Sequence, residues 1–242
     1  MKIFMDLFAD NKIELFQADC FDYLNTIEDE SVDLILTDPP YTISRKTNFA
    51  SEANTHKAND FSLLNKEFGE WDKKVIDLSK VCNEFYRVLR NGGTAIIWYD
   101  LWKITNIHTE MINVGFSYIR LIIWQKTITM PVNSKVNYLT NSREIAVLGV
   151  KGKNATFNSE YDKGIYEYPL VGRGRHHPTQ KPLALFRDLI RKHSHKGDLV
   201  VDPFLGSGTT AVAANLENRC FKGCEKDEKW VKIAKKRIFD GK

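Results

Sequence analysis

At 242 residues, 43% hydrophobic and 12% aromatic, the chain is long enough to bury one complete α/β core, read here as a single domain over 1–242. Its formal charge of +4 is too small to indicate nucleic acid by itself, and no apolar run approaches the roughly 20 residues of a membrane-spanning helix. Residues 1–5 are too short for a signal peptide, and Cys20, Cys82, Cys220 and Cys224 form no C-x-x-C pair, which argues against zinc and disulfides and for a soluble protein in a reducing cytoplasm.

Along the chain, residues 14–17 read as a strand, 20–27 as a helix, 32–36 as a strand, 73–89 as an amphipathic helix and 94–98 as a strand. A helix over 101–113 and strands over 117–124 and 144–149 follow, then a helix over 183–193, a strand over 199–201, a helix over 209–216, a strand over 221–224 and a helix over 230–238. This alternation predicts an α/β, doubly wound, mostly parallel sheet with helices on both faces. Two irregular stretches interrupt it, 42–71 and 126–180, the second broken only by the strand at 144–149. Loops of that length in a compact domain carry function or move. His176, His177, His193 and His195 lack matching cysteines or carboxylates, so no metal is expected.

Two motifs close predicted strands. Thr37-Asp38-Pro39-Pro40-Tyr41 follows one apolar run, and Asp202-Pro203-Phe204-Leu205-Gly206-Ser207-Gly208-Thr209-Thr210 follows another. Both should therefore stand at carboxyl ends of parallel strands, where open α/β sheets bind ligands. In the first, the prolines fix φ and remove two donors, leaving carbonyls and the Asp38 carboxylate as acceptors. Such a set grips an NH2 group, and Tyr41 offers a face for a stacked base, a contact worth about 1–3 kcal/mol. The bland alternative is a proline turn that only ends a strand. In the second motif, glycine permits close backbone approach, and a helix from Thr209 exposes its first amides to an anionic group. Glu225, ending the next strand, is placed to accept hydrogen bonds from ribose hydroxyls. Gly206-x-Gly208-x-x-Ala211 with Glu225 also satisfies the dinucleotide fingerprint. Too little chain follows Gly208 for the rest of such a domain, so strands from the N-terminal half must complete the sheet.

A cofactor motif at the end and an amine-binding motif at the start imply a circular permutation, and the chain resembles the permuted beta group of amino-group DNA methyltransferases. Further matches are Gln17-Ala18-Asp19-Cys20, Arg90-Asn91-Gly92-Gly93-Thr94, Trp124-Gln125-Lys126 and His177-Pro178-Thr179-Gln180-Lys181-Pro182, spread over nearly the whole chain. The resemblance implies a circularly permuted Rossmann-like fold, S-adenosylmethionine as cofactor, and methyl transfer to the N6 amine of a flipped adenine in double-stranded DNA, with Asp38, Pro39, Pro40 and Tyr41 catalytic. In that family Asp before Pro-Pro-Tyr goes mainly with adenine and Ser with N4-cytosine; small adenine enzymes of restriction-modification systems are most alike. It also implies that Asp19, with Cys20 beside it, meets the cofactor's adenine end, Glu225 its ribose and Phe204 its purine face. Thr179 and Lys181, with Gly206, Ser207, Gly208, Thr209 and Thr210, meet its amino-acid end. Asp38 borders both sites, and Asp202 shapes the glycine turn. Thr179 also has a plainer reading, as a cap for the helix that Pro182 begins. Among partners, the family suggests a homodimer and a cognate restriction endonuclease. N4-cytosine transfer, methylation of RNA or a protein amide, and a non-catalytic DNA-binding module are the competing readings.

Charge distribution locates the nucleic acid. Between Lys126 and Lys181 there are nine Lys or Arg against four Asp or Glu, interleaved with Asn133, Asn137, Asn141, Tyr138 and Tyr166. Such donors read base edges and phosphates. Segment 126–176 is therefore the expected target-recognition segment, with Lys126, Lys151, Lys153, Arg173 and Arg175 as DNA contacts, and 42–71 is expected to be a mobile loop over the active site. Lys229, Lys232, Lys235, Lys236 and Arg237 read as the solvated face of the last helix.

Overall fold

The computed structural model describes residues 2–8, 11–40, 76–129, 140–172 and 180–241. In chain order these form β1 (Lys2–Phe8), β2 (Asn11–Gln17), α1 (Cys20–Leu24), β3 (Val32–Thr37), α2 (Leu78–Val88), β4 (Leu89–Tyr99), a 3-10 turn (Leu101–Lys103) and α3 (Ile104–Val114). Then come β5 (Ser117–Lys126), β6 (Arg143–Val150), β7 (Ile165–Tyr168), α4 (Leu183–His193), β8 (Leu199–Asp202), α5 (Thr209–Leu216), β9 (Cys220–Glu225) and α6 (Glu228–Asp240). None of these helices is long and apolar enough to cross a membrane.

The strands pair in the order β1-β2-β9-β8-β3-β4-β6-β5-β7. From β2 through β4 every pairing is parallel, β6 runs antiparallel to both β4 and β5, and β1 is antiparallel to β2. The expected mostly parallel sheet is present, and so is the permutation. Strands β8 and β9, from the end of the chain, insert between β2 and β3, with Leu34 opposite Val200 and Ile35 opposite Val201.

Period-two alternation sends neighbouring residues of β3 to opposite layers. Leu34 and Leu36 join Trp98, Leu185, Leu189, Ala211, Ala234 and Ile238 beneath α4, α5 and α6. Ile35 joins Ala95, Ile97, Tyr23, Val81, Phe85, Ile107 and Met111 beneath α1, α2 and α3. Each fully buried Leu, Ile, Val, Phe or Met among these stabilises by about 1.5–3 kcal/mol, which makes the doubly covered centre the rigid part of the fold.

Several elements depart from the sequence expectation. Lys2–Phe8 and Ile165–Tyr168 are strands at the two edges of the sheet, and the second is only four residues long. The helix expected over 73–89 starts at Leu78, where the Asp77 carboxylate accepts from the Lys80 amide at 3.0 Å. Arg90 to Gly93, expected to precede a strand, lie within β4 instead, as an irregularity that moves the partner of β3 from Leu89 to Thr94. Gly92 takes φ +81°, and a Cβ there would meet the Asn154 carbonyl at 2.6 Å.

Candidate active site

The carboxyl ends of four adjacent parallel strands carry the residues singled out by sequence. Asp19 and Cys20 follow β2, Glu225 ends β9, Asp202 ends β8, and Asp38 with Pro39 and Pro40 follows β3. One buried carboxylate joins the two motifs. Asp202 Oδ1 accepts from Thr37 Oγ1 at 2.6 Å and from the Phe204 amide at 3.0 Å, while Oδ2 accepts from Thr210 Oγ1 at 2.6 Å. Burial pushes its carboxyl up to about 6, against the three hydrogen bonds that favour the ion. Asp202 thus ties the glycine turn to the strand leading into Asp38.

The glycine turn is held from outside as well. At Gly206 (φ +51°) a Cβ would meet none of the described residues within 4 Å, whereas at Gly208 (φ +87°) it would meet Ala234 Cβ at 2.7 Å. Arg237, buried under α5, donates through Nη1 to the Ser207 carbonyl at 2.7 Å and contacts the Ser207 and Thr209 hydroxyls at 3.0 and 3.2 Å. This corrects the sequence expectation of a solvated arginine: it lies on the same helix face as Val231, Ala234 and Ile238, and that shared face was the legible signal. The side chains of Thr209 and Thr210 are buried in these contacts. Among the described residues no side chain caps α5, which leaves its first-turn amides available to a ligand.

Glu225 Oε2 accepts from the Gly206 amide and Oε1 from the Asp227 amide, both at 2.9 Å. Burial holds its carboxyl above the ordinary range despite those bonds. Asp19 caps α1, accepting from the Phe21 amide at 3.1 Å, and stands 3.4 Å from the Lys226 ammonium. Beside it, burial and then the Asp19 charge push the Cys20 thiol up to about 12, so Cys20 stays protonated and unreactive. Phe204 is half-buried against the α1 side of the core.

Asp38 of the first motif stands at the end of a line of alternating charges. Lys181 Nζ lies 2.5 Å from Asp38 Oδ2 and 3.2 Å from Glu144 Oε2, and Lys126 Nζ lies 2.7 Å from Glu144 Oε1. Asp38 Oδ1 is buried and has no hydrogen-bond partner among the described residues. Burial pushes the Asp38 carboxyl above its ordinary range; the Lys181 ammonium opposes that rise, and the Glu144 charge adds to it. Burial works against ionised Glu144 too, but the Lys181 and Lys126 ammonium groups prevail and hold it below the usual range.

These positions correct part of the expected DNA contact set. Lys126 is buried and committed to Glu144, so it is not a phosphate contact. Lys151 and Lys153 follow the far end of β6, where Val150 stands opposite Thr94 and Lys151 exchanges backbone hydrogen bonds with Gly92 and Gly93. That is the amino end of the parallel strands, opposite Asp38, and Lys151 pairs there with Glu30 at 3.1 Å. Tyr41, Thr179, Arg173 and Arg175, the 42–71 loop and part of 126–176 lie outside the described residues. Glu144 was missed, although it continues the inward phase of Ala146 and Leu148, as Lys126 continues that of Ile122 and Trp124.

A sequence family described as DNA methylase matches residues 32–236. The type II methyltransferase M2.MboI of Moraxella bovis is 30% identical over 96% of this chain and 89% of its own length. M2.DpnII of Streptococcus pneumoniae, also a type II methyltransferase, is 32% identical over 94% and 90%. Among solved structures, the M1.HpyAVI-SAM complex superposes with a TM-score of 0.69 at 27% identity, covering 93% of this chain and 99% of that one. The cytosine-N4-specific PvuII DNA methyltransferase shares the fold, with a TM-score of 0.68 at 18% identity over 95% and 93% of the two chains. With the two strand-end motifs side by side and matches running through nearly its whole length, the chain belongs to the N6/N4 DNA methylase family.

Proposed function

We propose that this methylase transfers a methyl group from S-adenosylmethionine to the exocyclic N6 amine of an adenine extruded from duplex DNA. The observation that carries the reading is Asp38 Oδ1, a buried acceptor without a partner among the described residues, at the strand end next to the glycine turn. A buried carboxylate oxygen in that condition calls for a donor. The amine of a flipped base supplies one, since an adenine kept in the stack could not reach it. Asp38 accepts one amine hydrogen and the Pro39 carbonyl the other, which localises a lone pair otherwise delocalised into the ring. Tyr41 is the proposed stacking face.

The residues around the turn suit S-adenosylmethionine by their chemistry. Glu225 and Asp19 are acceptors for hydroxyl and amino groups, Phe204 is an apolar face, and Gly206 with the uncapped start of α5 offers a backbone cradle to a carboxylate. When bound, the cofactor supplies an electrophilic methyl on sulfur. Phe204, Gly206, Ser207, Gly208, Asp19 and Glu225 are the proposed binding residues, with Thr209, Thr210 and Asp202 holding their positions. M1.HpyAVI was solved with SAM, which supports the same assignment at 27% identity.

Adenine is preferred to cytosine because Asp, not Ser, precedes Pro-Pro-Tyr. Double-stranded DNA as substrate, a cytoplasmic site of action, a homodimer and a cognate endonuclease are parts of the same proposal. Its test is a panel of duplex DNA, RNA and protein acceptors, followed by single-molecule sequencing of plasmid from expressing cells. Methylated adenine at a fixed site is expected; labelling of RNA or protein alone would refute it.

A further inference from the structure

We infer that Glu144, seated with Lys126 at the root of the β5–β6 connection, is a positioning residue that shares the Lys181 ammonium with Asp38, pinning one Asp38 oxygen and leaving the other open to the substrate amine. The inference rests on the amine-methylation reading above.

Four charges alternate in one line: Lys126, Glu144, Lys181, Asp38. The two lysine side chains are only 7% and 4% exposed. A buried ammonium is tolerated when it is paired and hydrogen-bonded, and is strongly destabilising when it is not. Glu144 supplies that pairing twice, one oxygen to each lysine. Both lysines also lie over indole rings, Lys126 at 5.1 Å from the Trp124 centroid and Lys181 at 5.6 Å from that of Trp98. The backbone fixes the base of the line: Glu144 stands opposite Trp124 across the β5–β6 pairing, and the Lys126 amide donates to the Ser142 carbonyl at 2.8 Å. Glu144 is therefore a rigid anchor, whereas Asp38 lies just beyond the end of its strand.

An ammonium has three donors and no acceptor. With Glu144 holding part of that capacity, Lys181 engages Asp38 through Oδ2, and Oδ1 keeps no partner among the described residues. Without the Glu144 charge, Asp38 is the carboxylate that still pairs with Lys181 among the described residues, and the ammonium competes with the substrate amine for it. The charged groups facing Asp38 among the described residues are Lys181 ahead of α4, Glu144 on β6 and Asp202 on β8, with Lys126 one step further along β5. Removing Glu144 takes away a like charge, so Asp38 ionises at lower pH.

The experiment compares the full-length protein with Glu144→Gln and with the double variant Lys126→Met/Glu144→Gln, in which no lysine is left buried without a carboxylate. Wild type must first methylate adenine in duplex DNA; if it does not, the functional reading fails rather than this inference. In both variants kcat is expected to fall by about a hundredfold, the loss typical of a misplaced reacting group. KM for DNA and S-adenosylmethionine affinity by calorimetry should change little, and the acidic limb of the kcat profile should move to lower pH. The double variant should also regain thermal stability lost in Glu144→Gln without regaining rate. Glu144→Asp, which keeps the charge, should recover part of kcat. A folded double variant with wild-type kcat and an unmoved acidic limb would overturn the assignment, as would a rate that recovers together with stability.

Discussion

Lys181 Nζ hydrogen-bonds Asp38 Oδ2 at 2.5 Å across 143 positions of sequence. The resemblance implies a place for this lysine at the amino-acid end of the cofactor; in the structure it holds the Asp38 carboxylate, proposed above to grip the substrate amine. Lys181→Met should therefore lower kcat by about 10²–10³, the loss typical of one preorganised electrostatic partner, while S-adenosylmethionine affinity falls by less than about tenfold. The sign of its pH effect is opposite to that of Glu144→Gln. Burial then raises the Asp38 carboxyl without the opposing ammonium, so the ionised, active form appears only at higher pH. A kcat–pH profile checks the direction, and calorimetry checks the cofactor.

Asp202 gives a stability prediction with a defined pH window. Its folded-state value of about 6 lies above the ordinary 3.8, so between these values the folded protein keeps a proton that the unfolded chain releases. Its contribution to stability is full below about pH 4 and is lost as pH rises to about 6, a change on the order of 3 kcal/mol. Asp202→Asn should abolish that dependence, because the amide oxygen still accepts from Thr37 and Phe204, and Thr210 can turn its hydroxyl to the Leu36 carbonyl. Asp202→Ala should be less stable than Asp202→Asn at every pH, since each orphaned buried donor costs about 1–3 kcal/mol. Melting curves of the three proteins from pH 4 to 8 give the comparison.

Two glycines in one turn should respond differently. Gly206→Ala introduces left-handed strain of about 1–2 kcal/mol and no clash with the described residues, none of which lies within 4 Å of a Cβ there. Gly208→Ala adds overpacking against Ala234 of about 1–3 kcal/mol to the same strain. Urea unfolding should place Gly208→Ala below Gly206→Ala, and equal midpoints would contradict the packing seen at α6.

Arg237→Met removes the donor that holds Ser207 and Thr209 without touching the Asp38 side of the site. S-adenosylmethionine affinity should weaken by about tenfold, equivalent to about 1.4 kcal/mol. Turnover at saturating cofactor should change less. Equal losses in both would make Arg237 a support of the whole fold rather than of the turn.

How much was legible follows from how local each signal is. The helices Leu183–His193 and Thr209–Leu216 have their expected bounds, because Pro182 marks the start of one and the glycine turn that of the other. The order of the two motifs foretold the permutation, since β8 and β9 could find parallel neighbours only among strands made earlier in the chain. Edge strands β1 and β7 carry little period-two signal of their own and owe their form to β2 and β5. The charge line was hidden for another reason. A lysine in a basic, polar segment looks solvent-facing, and only the pairing of β5 with β6 turns Lys126 and Glu144 inward toward Lys181. Arg237 misled in the same way, as one cation among four lysines on a helix whose buried side is narrow.

The most direct measurement incubates duplex DNA with S-adenosylmethionine bearing an isotopically labelled methyl group and identifies the labelled nucleosides by mass spectrometry, for wild type and for Asp38→Ala. The expected result is N6-methyladenine as the labelled nucleoside, with a rate about 10²–10³ lower in a folded Asp38→Ala protein. Labelled N4-methylcytosine in its place, or N6-methyladenine formed at the wild-type rate without the Asp38 carboxylate, would contradict the role assigned to that residue.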